Sequence, residues 1–170
     1  LETTKKGIFV TGAFAAPKDI PTSVAEASGA AAKAGAFIVD KDFKPCAPKV
    51  YPAEKNVEGQ APRVGVWVCH CGVNIGSVIN VPAIRDYAAK LPNVVCAYES
   101  QYACAQDCLE AISRAIKEQD LNRVVVASCT PRTHEPLFRE ACRNGGLNKY
   151  LFNMANIRDQ CSWIHMHSSE

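Results

Sequence analysis

The sequence predicts a doubly wound α/β fold, Rossmann-like or flavodoxin-like, with a parallel sheet covered by helices on both faces. Three observations carry that expectation. From Val64 onward, short β-branched runs alternate with helix-patterned segments. Each helical segment is long enough for a right-handed crossover between parallel neighbours. The runs VGVWVC, NVVCAYES and RVVVASC are apolar on both faces, as strands buried under two helical layers must be.

The elements follow in order. VGVWVC is the first strand of this region. VPAIRDYAAKL is its helix, with Val81, Ile84, Ala88 and Leu91 on one face and Pro82 in the first turn. NVVCAYES is the second strand. QDCLEAISRAIKEQ is the second helix, with a stripe of Leu109, Ile112, Ala115 and Ile116. RVVVASC is the third strand. THEPLFREACRNGG is the third helix, for which Thr133 is the expected cap and two glycines the stop. YLFNMANI is the fourth strand.

Two segments precede this region, and the expected organisation is 1–39, 40–63 and 64–170. In the first, GIFVTG reads as a strand ending in glycine. The alanine-rich AEASGAAAKAGAF reads as a helix capped by Thr22 or Ser23. One strand and one helix cannot bury themselves, so this piece is expected to dock elsewhere. The second segment holds four prolines and many charges without a period, which is a linker composition. Cys46, between Pro45 and Pro48, reads as an incidental linker thiol.

Composition excludes several function classes. The net charge of the 170 residues is +2, with no concentrated basic run, so nucleic acid is not the expected partner. No apolar stretch is long enough to span a bilayer, and the N-terminus carries no signal-peptide pattern. The chain opens on Leu within a polar run, as an excised piece of a longer polypeptide would. Nine cysteines in a regular α/β pattern, without export signals, point to a reducing compartment where thiols serve metal or redox chemistry.

In doubly wound sheets, ligands bind outside the carboxyl ends of the strands. Cys69 and Cys71 end the first strand, Cys104 follows the second, and Cys129 ends the third. Four thiols from three strand ends suit an iron–sulfur cluster, although the spacing matches neither a compact ferredoxin run nor paired zinc-ribbon motifs. Buried apolar filler or a redox-labile thiol pair is the alternative reading. A disulfide between Cys69 and Cys71 would close a strained ring. Cys161, after the last strand, is a reserve ligand. Cys96, Cys108 and Cys142 lie within elements and read as small core residues. His70 reads as a hydrogen-bonding partner, and His165 and His167 as incidental. Cys129 with His134 as base forms a competing nucleophilic reading, favoured by a helix N-terminus and Arg132. A docking module for other subunits, without cofactor, is the third.

The motifs VCHCGVNI, YAC, LNRVVVASCTPRTHEPLFREAC and GLNKYLFNMANIRDQCSWIH resemble the N-terminal domain of the heterodisulfide reductase A-subunit family. GIFVTGAFAAPKDIPTSVAEASGAAAKA resembles the closing strand and helix of the same family's thioredoxin-reductase-like flavin domain. Here that piece comes first, as at the junction of a tandem protein. The resemblance implies an electron-transfer domain of a cytoplasmic oxidoreductase, working with other heterodisulfide reductase or hydrogenase subunits and ferredoxin-type carriers. It implies a [4Fe-4S] cluster on Cys69, Cys71, Cys104 and Cys129. It would place Gly12, Lys18, Asp19 and Ile20 near FAD in the parent protein. The glycine-rich dinucleotide motif is absent, so flavin is not expected on this piece alone, nor is a complete active site. Ala13, Phe14 and Ala15 stand where the family often has cysteine or polar residues.

Overall fold

The computed structural model describes residues 1–39 and 48–167, so the linker thiol Cys46 lies outside the described residues. The chain divides into two compact units, Leu1–Lys49 and Val50–Glu170.

The first unit is built on helix α1, Ile20–Val39. It starts before the expected caps because Asp19, not Thr22 or Ser23, closes its first turn: the Thr22 amide donates to Asp19 Oδ1 at 2.8 Å. Ser23 instead donates its hydroxyl to the Asp19 carbonyl at 2.9 Å. GIFVTG forms no ladder of its own. It contributes an antiparallel bridge between Phe9 and Glu2, and Gly12–Phe14 then turns as a 3₁₀ helix. A strand needs a continuous partner, and among the described residues of this unit the one available is the first three residues. Among the described residues of the unit only Ala30 is buried.

The second unit is the predicted α/β fold. Its strands are β1 Val64–Cys69, β2 Val94–Ser100, β3 Arg123–Ser128 and β4 Phe152–Asn156, all parallel and ordered β2-β1-β3-β4. Helices α2 Val73–Gly76 and α3 Val81–Ala88 join β1 to β2. Helix α4, Gln106–Glu118, leads to β3, and α5, Pro131–Asn144, to β4. A π-helical turn, Arg158–Ser162, and a short α6, Trp163–His165, close the chain.

Two cores flank the sheet. Val66 and Val68 pack with Ile75, Val81 and Ala88 on the α3 face. Trp67, Val124 and Val126 pack with Ile112, Ile116, Phe138 and Ala141 on the α4/α5 face. This alternation along each strand is what helices on both faces require. The expected stripe of α4 is therefore buried, with Leu109 partly so, while Leu91 lies beyond α3 and is exposed. The residues before β1 have no regular structure but are tied down. Arg63 N–H donates to Asn122 Oδ1 at 2.7 Å, Asn122 is fully buried, and Val57 packs against the α4/α5 core.

Helix α5 begins two residues before the expected cap. Pro131, with its φ preset and no amide to lose, is its first residue, and Thr130 stands at the N-cap. Thr133 is inside the first turn, where its hydroxyl donates to the Thr130 carbonyl at 2.7 Å.

Candidate metal centre

The order β2-β1-β3-β4 fixes where a ligand can sit. The chain leaves β1 toward β2 on one side and β3 toward β4 on the other, so the loops after β1 and β3 diverge and open a crevice at the carboxyl edge. Cys71 and Cys129 are on those two loops, Cys69 ends β1, and Cys104 comes from the loop after neighbouring β2.

Cys69 is 4% exposed and Cys129 5%, while Cys71 and Cys104 are half-buried. The Cys69 thiol is pushed up by burial, and charge on Cys71 or Cys104 would push it further; amides of Ala103 and Cys71 oppose this. Cys104 is likewise pushed up by burial, with added repulsion from Cys129 and Cys71. The sulfurs do not close on a point. Among the described residues no three His, Cys, Asp or Glu side chains converge tightly enough to hold a single metal ion. All eight cysteines among the described residues are free thiols, so Cys69 and Cys71 form no bridge.

Each thiol of the four has a polar or charged group beside it. The Ala103 and Cys71 amides donate to Cys69 Sγ at 3.3 and 3.2 Å. Thr133 Oγ1 is 3.1 Å from Cys129 Sγ. Arg158 Nη1 stands 4.0 Å from Cys71 Sγ and stacks over Trp163. At Cys104 the backbone amide of the same residue opposes the upward push of burial. Helices α2, α4 and α5, which open just after Cys71, Cys104 and Cys129, have no capping side chain. By contrast α3, which follows no cysteine, is capped by Asn80, whose Oδ1 accepts from the Ala83 amide at 3.1 Å. The two long helices α4 and α5 thus direct uncapped amides and their positive dipole ends toward the thiol-bearing edge, where they favour negative charge.

The backbone after β1 is unusual. Cys71 has φ +46° and Gly72 φ +57° with ψ −128°. A cysteine at positive φ is held there by its surroundings and marks a site where geometry outweighs local preference. The turn brings the amides of Ile75 and Gly76 onto the His70 carbonyl at 3.2 and 2.9 Å. It also packs Gly76 so closely on the His70 ring that a Cβ would meet Nδ1 at 2.8 Å. The His70 ring places Nε2 3.7 Å from Glu99 Oε2, and Glu99 also meets Arg85 at 3.2 Å.

The remaining residues singled out in the sequence fall as follows. Cys161 is half-buried in the π-helical turn, which packs on α2 through a hydrogen bond from Ser162 to the Asn74 carbonyl. Cys108 and Cys142 are buried in the α4/α5 core and Cys96 packs against it, as small apolar residues would. Cys129 hydrogen-bonds Thr133, and among the described residues no hydrogen bond joins it to His134. In the first unit Gly12 N–H and Lys18 Nζ both donate to the Glu26 carboxylate, at 3.2 and 2.6 Å. Asp19 caps α1, and Ile20, 80% exposed, is its first residue. Arg158 and Thr133 as partners of thiols were not legible in sequence. Arg158 reaches Cys71 across 87 residues, and nothing local marks it.

No protein-family model matches the chain. Curated relatives do. The chain is 54% identical over 117 residues, 69% of its length, to the A subunit of the H2:CoB-CoM heterodisulfide,ferredoxin reductase of Methanothermobacter marburgensis. It is 53% identical over 111 residues, 65% of its length, to a protein of Archaeoglobus profundus described as like the A subunit of heterodisulfide reductase. It is 50% identical over 103 residues, 61% of its length, to the A subunit of the ferredoxin/F420H2-dependent CoB-CoM heterodisulfide reductase of Methanosarcina acetivorans. These matches cover 18%, 16% and 13% of the respective relatives. The resemblance to the A subunit of heterodisulfide reductase is thereby borne out over about two thirds of the chain, and the chain spans less than a fifth of those proteins.

Proposed function

From the relatedness of this chain to the A subunit of heterodisulfide reductase, we propose that its α/β unit is an electron-transfer domain of such an oxidoreductase. The unit would hold a [4Fe-4S] cluster on Cys69, Cys71, Cys104 and Cys129. The observation that carries this reading is the gathering of four thiols from three strand ends, each beside a polar or charged group, at the switch point of the sheet.

When bound, such a cluster accepts and releases single electrons. The chain's own residues bind, neutralise and exclude water. The Ala103 and Cys71 amides stabilise thiolate charge on Cys69, while Arg158 offsets charge on Cys71. Burial of Cys69 and Cys129 keeps that side dry, and the half-buried Cys71 and Cys104 form the side nearer solvent and partner. No substrate chemistry is required of this piece. The electrons would pass between modules of a longer cytoplasmic protein and its ferredoxin-type or hydrogenase-type partners. In that longer protein FAD would be bound near Gly12, Lys18, Asp19 and Ile20. Among the described residues no helix is long and apolar enough to cross a membrane.

Anaerobic reconstitution of the full chain with iron and sulfide tests the reading. It predicts a brown protein with about four irons per chain. Serine at Cys69, Cys71, Cys104 or Cys129 is expected to lower the iron content, and Cys161→Ser to leave it unchanged. A colourless product, or uptake indifferent to serine at all four positions, would overturn it.

A further inference from the structure

The sheet register places Cys69 beside Ser128. The β1–β3 ladder pairs Trp67 with Val126 and Val68 with Ala127, so Cys69 and Ser128 stand next along it. Trp67 and Val126 share the α4/α5 core, and two residues further on the side chains return to that face. Ser128 is 2% exposed, and its Oγ has no hydrogen-bond partner. A buried hydroxyl without a partner costs stability, and valine or alanine would fill a strand position under two helices without that cost. Its backbone does not need the hydroxyl: the Ser128 carbonyl accepts from Ile157 N–H at 2.9 Å in the ordinary way.

Resting on the cluster reading above, we propose that Ser128 is a positioning residue for the metal centre. Its hydroxyl is the donor held for sulfur at the Cys69 corner, either the Cys69 thiolate or the sulfide next to it. A donor to cluster sulfur raises the reduction potential, because the extra electron makes that sulfur a better acceptor. The same corner already receives two backbone amides on Cys69, so Ser128 completes its donor set from the third strand. Ser100, paired with Cys69 in the β1–β2 register, also has a buried Oγ without a hydrogen-bond partner but is only half-buried as a residue, so Ser100→Ala tests whether the effect belongs to Ser128.

The experiment compares wild type, Ser128→Ala, Ser128→Thr and Ser100→Ala as full chains, reconstituted anaerobically. Iron content and circular dichroism are read first, then the midpoint potential by redox titration followed by electron paramagnetic resonance. Ser128→Ala is expected to bind iron and titrate at a more negative potential than wild type. Ser128→Thr is expected to return toward wild type, and Ser100→Ala to shift less. Metal-free Ser128→Ala is expected to be at least as stable as wild type, which a purely structural hydroxyl would not allow. A folded Ser128→Ala protein that loses iron while Ser128→Thr keeps it also supports the proposal. An unchanged potential, or equal iron loss in Ser128→Ala and Ser128→Thr, overturns it. An iron-free wild type overturns the cluster reading itself, and the proposal with it.

Discussion

Gly72 links the backbone of the thiol-bearing edge to a measurable energy. Its φ of +57° with ψ of −128° lies where only glycine is at ease. A Cβ there would also stand 3.0 Å from the Tyr102 hydroxyl. These two costs differ in kind. Tyr102 is 52% exposed and its hydroxyl is the far end of a swinging side chain, so the contact can be relieved at little expense. The dihedral cannot be relieved without moving Cys71, itself already at φ +46°. Gly72→Ala is therefore expected to cost about 1–3 kcal/mol, nearly all of it backbone strain. That lowers the folded-to-unfolded ratio by roughly 5- to 150-fold. Urea unfolding of the metal-free chain measures it, read by the fluorescence of buried Trp67, with an unchanged denaturant slope. Repeating the substitution in a Tyr102→Ala background separates the terms. The cost should persist there, and iron uptake should fall in both backgrounds as the Cys71 loop relaxes. A cost that vanishes without Tyr102, or a Gly72→Ala protein as stable as wild type, would refute the reasoning.

Thiol reactivity offers a second check. Burial pushes the Cys142 thiol up to about 12, so at pH 8 it stays protonated. Alkylation with mass-spectrometric mapping should leave Cys142 unlabelled in the native metal-free chain and label half-buried Cys71. Cys142 should be labelled only after unfolding. Lys55 holds the Asp120 carboxyl below its ordinary 3.8. A depressed folded pKa adds stability above the ordinary carboxylate range, and this is lost as pH falls through the folded value. Wild type and Asp120→Asn should therefore differ near neutral pH and converge in strong acid. Thermal melts across that range, showing a gap that instead widens on acidification, would contradict the assignment.

The α/β alternation was legible because each strand and helix of the second unit carries its own pattern. RVVVAS is apolar on both faces and QDCLEAISRAIKE repeats at helical spacing, so local sequence and burial agree. Legibility failed where a residue's role depends on a neighbour far along the chain or on one backbone angle. GIFVTG has strand composition but no continuous partner strand among the described residues of its unit. Thr133 looked like a cap, yet Pro131 could open the helix earlier and left Thr133 beside Cys129.

The same division holds at the thiol edge. Sequence alone determined that Cys69, Cys71, Cys104 and Cys129 end or follow three strands, because strand ends are local features. It also carried the likeness to the A subunit of heterodisulfide reductase, since identity is a property of the string. Only the tertiary structure decided the order β2-β1-β3-β4, which sets those loops at one switch point. Only it put Arg158 near Cys71 and the unpartnered Ser128 hydroxyl in register with Cys69. The physical reason is that period and turn chemistry act over a few residues. Register and hydrogen-bond satisfaction are settled between strands that the chain brings together only when the core closes.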